Sequence, residues 1–249
     1  MPTSQGRSEA SRPPKRWFAV FAAIAASAFM LGLAVPRIVA RALLIPALAA
    51  TDALQTGEPV DAAMLQSGLR TYERAAAWQP HDAALQVLRG RFSLRLAQGG
   101  GDAASYEPAS EAFREAVKAA PSYPVAWCLL ASARYEAGAP KEESLRLLNA
   151  AYLAGPYESS CMFLRSSVAL RNWGDLSPAM QDAARSDFRV MWTTASERAH
   201  LVALYLESDF AGRSLIRASI VRSDEDASRF NKKLLEATGM WPPARKSRR

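Results

Sequence analysis

Few residues of this 249-residue chain have the types and spacing that catalysis or metal binding requires. Its two histidines, His81 and His200, lie far apart, and neither has a cysteine or carboxylate at metal-ligand spacing. No serine lies in a nucleophile elbow. The glycine run at 99–101 lacks the Lys-Ser/Thr pair of a phosphate-binding loop. We therefore expect no catalytic residue, no metal ion and no cofactor, and the sequence argues against an enzyme.

An acidic run, Ser223–Asp226, superficially resembles a cation site. A serine followed by acidic residues is also a common start of a helix. The serine side chain accepts a hydrogen bond from a free backbone N–H, and the acids complement the positive end of the helix dipole. We interpret the run as a helix cap and first turn.

The elements that position these residues show an internal repeat. Four residue types recur at identical spacing in two runs, and a looser third run follows 34 residues after the second. The runs are Gly68, Tyr72, Ala75 and Pro80; then Ala109, Phe113, Ala116 and Pro121; then Glu143, Leu147, Ala150 and Gly155. A period near 34 residues is typical of helical solenoids, in which each helix pair buries its apolar face against its neighbours.

These residues resemble the tetratricopeptide repeat, which places small, aromatic, small and proline positions along the second helix of each pair. Trp127 takes the family's large position and Ala131 its small one. The resemblance implies that Phe113 and Trp127 fill the core between helices. The predicted helices cover 61–79, 82–97, 107–119, 124–137, 141–154, 157–172, 179–192, 196–208, 211–221 and 224–238. The solenoid as a whole is predicted to span residues 61–240.

The family also implies where a partner binds, in the concave groove lined by the first helix of each pair. By register, the groove positions of three successive units are Val87, Arg91 and Leu94; Cys128, Ser132 and Tyr135; and Met162, Ser166 and Ala169. The groove of the carboxylate-clamp type carries lysine and asparagine. Because Val87 and Cys128 stand where that type needs polar donors, we do not expect a clamp for chaperone tails.

The two cysteines, Cys128 and Cys161, are too few for a disulfide scaffold or a zinc site. Their separation is close to the repeat period, so they occupy nearly equivalent places on successive helices. Two interpretations stay open. They are small buried apolar residues, or they form a bridge between neighbouring repeats. A bridge requires an oxidising compartment and Cα atoms within about 7 Å.

A 19-residue stretch without charge, Trp17–Val35, is long enough to cross a bilayer core of about 30 Å as a helix. Four basic residues precede it, which favours a cytoplasmic amino end and a solenoid outside the cytoplasm, although Arg37 and Arg41 blunt that signal. Three alternatives are a cleaved signal peptide, a buried core helix, and a crossing in the reverse orientation. The predicted fold class is all-α, with one N-terminal transmembrane helix followed by a tetratricopeptide-like helical-hairpin solenoid.

Charge is concentrated at the two ends of the chain. The net charge is +7, and ten basic residues lie within the first 41 and the last five positions, so the body is nearly neutral. Basic ends suit a membrane surface, and we expect no nucleic-acid binding. Three further segments are predicted: a disordered cytoplasmic tail at 1–16, a juxtamembrane linker at 36–60 and a basic tail at 241–249.

These features together predict an adaptor or scaffold that binds other proteins at the periplasmic face of the inner membrane of a Gram-negative-like bacterium. The stretch Trp173–Arg189 also resembles tetratricopeptide accessory proteins of exopolysaccharide synthesis and export. That resemblance implies a role in cell-surface polysaccharide assembly. The alternatives are an adaptor in cytochrome maturation or envelope-complex assembly, and a structural subunit built permanently into a membrane complex.

Overall fold

The structure is a computed structural model that describes residues 15–56, 58–100 and 102–239. Most of the predicted tail at 1–16, and all of the basic tail at 241–249, lie outside these residues. The described part contains α-helices and short 3₁₀ turns, without a strand. The helices are α1 (Lys15–Leu44), α2 (Leu48–Thr56), α3 (Ala62–Trp78), α4 (Ala83–Gly100), α5 (Glu107–Ala119), α6 (Pro124–Glu136), α7 (Lys141–Ala154), α8 (Ser159–Arg171), α9 (Pro178–Thr193), α10 (Arg198–Glu207), α11 (Phe210–Ile220) and α12 (Asp224–Ala237).

Helices α3 to α11 alternate between two rows, as in a helical-repeat protein. Each helix packs on the next along the chain. In what we call the A row, α4 contacts α6, α6 contacts α8 and α8 contacts α10, while α7, α9 and α11 pack together in the B row. The all-α fold class and the long apolar N-terminal helix are confirmed. The architecture is compatible with a tetratricopeptide-like solenoid.

Glycines of the repeat allow neighbouring helices to approach closely. A Cβ atom at Gly68 of α3 would overlap the ring of Phe92 on α4. One helix further, a Cβ atom at Gly90 would overlap the ring of Phe113 on α5. Both phenylalanine side chains are fully buried. The same type of glycine–phenylalanine contact therefore joins α3 to α4 and α4 to α5.

Two predicted helix starts are confirmed by their caps. The Ser177 hydroxyl accepts a hydrogen bond from the Met180 N–H at 3.3 Å. The Ser223 hydroxyl accepts one from the Asp226 N–H at 3.2 Å, and three acids occupy the first turn of α12. The acidic run is thus a cap and first turn, as interpreted from the sequence.

Trp127 departs from its predicted role as a core side chain. It is only partly buried, and its indole N–H donates a hydrogen bond to the Pro121 carbonyl at 2.7 Å. The indole therefore fastens the turn before α6 rather than filling the centre of the core. Phe113, in contrast, is fully buried, as expected.

The cysteines form a bridge between two neighbouring A-row helices. Cys128 of α6 and Cys161 of α8 are disulfide-bonded, with Cα atoms 5.8 Å apart. Both residues are almost completely buried. Of the two interpretations that the sequence left open, the structure has the bridge between repeats.

Within the segment predicted as a linker, 36–60, residues 36–56 are helical and contribute to the core. Helix α1 continues past Pro36 to Leu44, a 3₁₀ turn follows, and α2 ends at Thr56. Ala40, Ala47 and Ala50 are buried in one cluster with residues of α3 and α4. The Thr51 hydroxyl and the Tyr72 hydroxyl lie 3.0 Å apart within hydrogen-bonding distance, and burial raises the pKa of the Tyr72 phenol. Thus α2 and the end of α1 supply the partner that α3 lacks in the repeat pattern.

The rest of α1 is exposed and apolar. From Trp17 to Leu33 its large apolar side chains are between 44% and 65% exposed. By length and composition, the helical stretch that starts at Trp17 can cross a membrane, and the most apolar part of it has no buried residue. The structure thereby excludes the buried-core-helix alternative for this segment.

We expect Gly90→Ala to destabilise the protein by about 1–3 kcal/mol, because the added methyl group overpacks the site next to Phe113. Phe113→Ala should cost about 3–5 kcal/mol through the cavity it leaves. The matched control is Gly99→Ala on the same helix, where a Cβ atom meets nothing within 4 Å. Thermal melts of the full chain in mild detergent measure all three. A Gly90→Ala protein as stable as the Gly99→Ala control would contradict the packing described.

A second prediction concerns the segment between anchor and solenoid. A fragment that starts at Arg37 should melt at a clearly higher temperature than one that starts at Glu58. The shorter fragment loses the buried alanines of α1 and α2 and the Thr51–Tyr72 hydrogen bond. Circular dichroism melts of the two fragments in the same detergent test this. Equal melting temperatures would show that 36–56 is a passive linker.

Candidate functional site

One groove is lined by residues from successive A-row helices and from the segment after α1. We call it the inner groove, and its volume is about 440 Å³. Its lining residues are Leu54, Glu58, Arg91, Leu94, Arg95, Gln98, Leu129, Leu164 and His200. They come from α2 and from a residue just beyond its end, then from α4, α6, α8 and α10. The groove thus runs across the repeat units, which suits an extended ligand.

Helix α4 supplies the largest share of the groove. One face of α4 carries Arg91, Leu94, Arg95 and Gln98, because spacings of three and four residues relate them along the helix. Leucines from four helices form the apolar part of the lining. Those leucines are Leu54, Leu94, Leu129 and Leu164.

Two arginines give the groove its positive charge. Neither Arg91 nor Arg95 has a carboxylate within ion-pair distance in the described part of the chain. The Arg91 Nε atom is enclosed and has no hydrogen-bond partner there, while Arg95 donates only to the Gln98 side-chain oxygen, at 3.3 Å. Guanidinium groups bind carboxylates through two parallel hydrogen bonds. The exposed Glu58 adds one negative charge to the lining.

His200 lies at the other end of the groove, on α10. Its ring centroid is 5.8 Å from that of Phe163, and its Nδ1 atom is 3.2 Å from a carboxylate oxygen of Glu197. These contacts hold the imidazole against the protein surface. His200 therefore has a fixed position and forms a polar end of the groove.

The predicted groove residues fall into three groups. Arg91 and Leu94 line the inner groove, as the register predicts. Ser132 and Tyr135 are partly exposed but do not line it, and the Tyr135 ring lies 5.3 Å beneath the Arg171 guanidinium. The remaining predicted positions are buried. They are Val87, Cys128, Met162, Ser166 and Ala169.

Burial separates the last group from the surface of the inner groove. Neighbouring A-row helices touch each other directly, and Cys128 and Cys161 join α6 to α8 at such a contact. Positions at this contact are covered by the next unit, so they cannot meet a partner. Val87 packs in the core with Phe113 and Leu130, and Met162 packs in the core of the later units.

Sequence reasoning missed most of the groove. Arg95 and Gln98 could have been found from their helical spacing to Arg91. Leu54 and Glu58 could not be found from the sequence, because the helix that carries Leu54 has no repeat signature and its residues are also typical of a linker. Leu129, Leu164 and His200 enter the groove through the rotation of each unit relative to the last, which the repeat pattern does not encode.

A buried charged cluster lies between α7, α8 and α9. The Arg165 guanidinium binds the Asp187 carboxylate through two hydrogen bonds of 2.6 and 2.7 Å. It also donates to the carbonyl oxygens of Gly155 and Pro156 at 2.7 and 2.8 Å. Its carbon centre lies 4.8 Å from the Tyr152 ring. Burial raises the pKa of the Asp187 carboxyl, which the bonds from Arg165 oppose, and burial raises the pKa of the Tyr152 phenol.

Solvent does not reach this cluster, since Arg165 is 0% and Asp187 3% exposed. The pair closes the turn before α8 and fixes α8 to α9, which is a structural role. In the described ranges, no group of three or more His, Cys, Asp or Glu side chains is placed to hold a metal ion. The inner groove is therefore the candidate functional site, and its arrangement is one for binding.

The sequence matches no protein-family model and no curated protein. The fold and the site define the architectural class of this chain. The chain is a helical-repeat-like all-α protein with an N-terminal helix long and apolar enough to span a membrane.

We expect Arg165→Met to cost about 3–5 kcal/mol, because it leaves the Asp187 carboxylate buried without a partner. The double variant Arg165→Met with Asp187→Leu should recover most of that loss. Arg171→Met is the control, because its ion pair with Glu136 is exposed and worth under about 1 kcal/mol. Denaturant titrations of the detergent-solubilised chain provide the comparison. A double variant no more stable than Arg165→Met would argue against this charge-pair account.

Proposed function

We propose that this protein is a single-pass membrane adaptor whose solenoid, of the tetratricopeptide type, binds a partner protein outside the cytoplasm. The observation that carries the proposal is the inner groove, which crosses the repeat units and contains two arginines that have no ion-pair partner among the described residues. The groove begins on α2 and Glu58, directly after the membrane helix. Partner capture and membrane attachment are therefore parts of one helical array.

The chemistry of the groove indicates the kind of partner. Four leucines offer apolar contact, and Arg91 and Arg95 offer donors to carboxylates. An extended peptide segment with acidic side chains spaced between apolar ones meets both requirements. We propose that such a segment of the partner lies across the A-row helices.

Two observations support a location outside the cytoplasm. More basic residues precede the apolar run than follow it closely, which favours a cytoplasmic amino end. The disulfide between Cys128 and Cys161 suits an oxidising compartment such as the periplasm, since cytosolic thiols are kept reduced. We accordingly propose the inner membrane, with the solenoid in the periplasm.

The proposed pathway is cell-surface polysaccharide assembly, and it rests on the resemblance of Trp173–Arg189 alone. Packing accounts for several of these residues: Trp173 stacks on Phe188, and Asp187 pairs with Arg165. Deletion of the gene in its own bacterium, followed by measurement of secreted polysaccharide and of c-type haem, tests the pathway. Unchanged polysaccharide with lost haem would favour the cytochrome-maturation alternative.

For the groove, we expect Arg91→Glu with Arg95→Glu to lower partner recovery by at least about tenfold, since truncating one arginine anchor costs about 2 kcal/mol. The control is Arg146→Glu with Arg189→Glu, an equal charge change at exposed arginines of α7 and α9 in the B row. Tagged full-length protein is recovered in mild detergent, and co-purified proteins are quantified. Equal recovery by the groove variant and wild type would move the binding site off the groove.

For topology, a periplasm-dependent phosphatase fused after Arg249 should be active in cells. Thiol alkylation of cells, with and without prior reduction, should leave Cys128 and Cys161 unlabelled in the native protein. Both cysteines should be labelled only in a sample that has been reduced and denatured. Both cysteines are buried and disulfide-bonded, so neither reacts in the native protein. An inactive phosphatase in a well-expressed fusion, together with free thiols, would overturn the periplasmic orientation.

A further inference from the structure

A second cleft lies where the solenoid meets the membrane helix, away from the inner groove. It has a volume of about 520 Å³ and is formed by Gly32–Arg37 of α1 on one side and Trp78–Asp82 on the other. The second range contains the end of α3 and the turn into α4. This turn thus lies beside the stretch of α1 proposed to span the membrane, while the end of α1 packs on α3.

The depth of the cleft in a bilayer follows from helix geometry. An α-helix rises about 1.5 Å per residue, so Trp17 and Arg37 are separated by about 30 Å along α1, the thickness of a hydrocarbon core. With Trp17 at one interface, Arg37 lies at the other. Gly32 is then less than about 8 Å inside it. The turn Trp78–Asp82 packs beside this stretch and therefore lies at the level of the lipid headgroups.

The side chains at this level suit that environment. Trp78 is 49% exposed although it is a large aromatic residue at the end of a helix. Tryptophan is enriched where membrane meets water, because its ring is apolar and its N–H is polar. Pro36 has no N–H to donate to the Gly32 carbonyl one turn before it.

The lining of the cleft contains one arginine and one carboxylate, Asp82, and two further arginines lie one turn away from lining residues. Arg37 lines it, Arg41 lies one turn further along α1, and Arg74 lies one turn before Trp78 on α3. Among the described residues none of the three is in an ion pair; Arg37 donates to the Leu33 carbonyl and Arg74 to the Arg70 carbonyl. Lys and Arg close to an anionic bilayer each contribute about 1 kcal/mol of attraction. Unpaired arginines beside an exposed tryptophan are complementary to anionic phospholipid headgroups.

We infer that a headgroup-binding site, which we call the collar, holds the solenoid directly on an anionic membrane surface. The collar consists of Trp78, Arg37, Arg41 and Arg74. The solenoid is then held at a fixed tilt by two attachments, α1 and the turn after α3, instead of moving on a single tether. The inference rests on the proposed membrane insertion of α1. The occupant of the cleft is an anionic phospholipid headgroup.

The test uses the full chain in lipid bilayers that contain phosphatidylglycerol and a phospholipid brominated near the headgroup end of its acyl chains. Bromine quenches tryptophan fluorescence only at short range. The emission removed by Trp78→Phe is compared with that removed by Trp127→Phe, whose indole belongs to the turn before α6. We expect the Trp78 emission to lose most of its intensity in brominated bilayers and the Trp127 emission to lose none.

Insertion of the membrane helix is read separately through the emission removed by Trp17→Phe. Quenched Trp17 emission with unquenched Trp78 emission would overturn the collar while leaving the membrane anchor intact. If neither is quenched, the proposed insertion fails and the collar fails with it. Quenching of Trp127 as strongly as Trp78 would also count against the collar, because it would place the whole solenoid at the bilayer.

The charge component has its own variant. In the triple variant Arg37→Gln, Arg41→Gln, Arg74→Gln, quenching of Trp78 should fall toward the level seen for wild type in neutral phosphatidylcholine bilayers. The matched control is Arg146→Gln with Arg185→Gln and Arg189→Gln, which removes three arginines from α7 and α9. Quenching that is the same in neutral and anionic bilayers would overturn anionic headgroups as the occupant.

Discussion

The solenoid depends on close contacts between neighbouring helices at positions where one of the two helices has a glycine. Gly68 admits the ring of Phe92, and Gly90 on the next helix admits the ring of Phe113. Each ring is fully buried because the facing glycine leaves room for it. A methyl group at either glycine would push the two helices apart, and the displacement would be passed to every later unit.

The later units are held together by contacts of a different kind. Beyond α7 the glycine–phenylalanine pairs give way to the buried Arg165–Asp187 pair and to aromatic contacts, in which Phe230 of α12 meets Trp192 and Tyr205 edge to face. Buried ion pairs add little net stability compared with apolar packing, but their geometry is specific. The pair joins α8 and α9 at one angle. The divergent units therefore keep their orientation without the repeat signature.

The sequence was sufficient for contacts between neighbouring helices and insufficient for contacts that depend on the accumulated rotation of units. Helices such as α5 and α7 follow from the repeat spacing, because that signal is local. The burial of Met162 and Ser166 could not be predicted, since it depends on how closely α8 approaches α6 and α9. The contribution of α2 could not be predicted either, because alanines at Ala47 and Ala50 read equally well as membrane-proximal linker.

The junction between anchor and solenoid links the two proposals. Leu54 and Glu58 line the inner groove, and the helical segment that carries Leu54 follows α1 after a single 3₁₀ turn. Arg37 is separated from Leu54 by 17 residues of nearly continuous helix, so in an inserted protein the groove opens at most about 25 Å from the membrane surface. The buried alanines and the Thr51–Tyr72 hydrogen bond make that spacing rigid. Under the two proposals, a partner whose acidic segment lies within this distance of the bilayer would be bound and one held further away would not, so the membrane helix would contribute to partner choice without touching the partner.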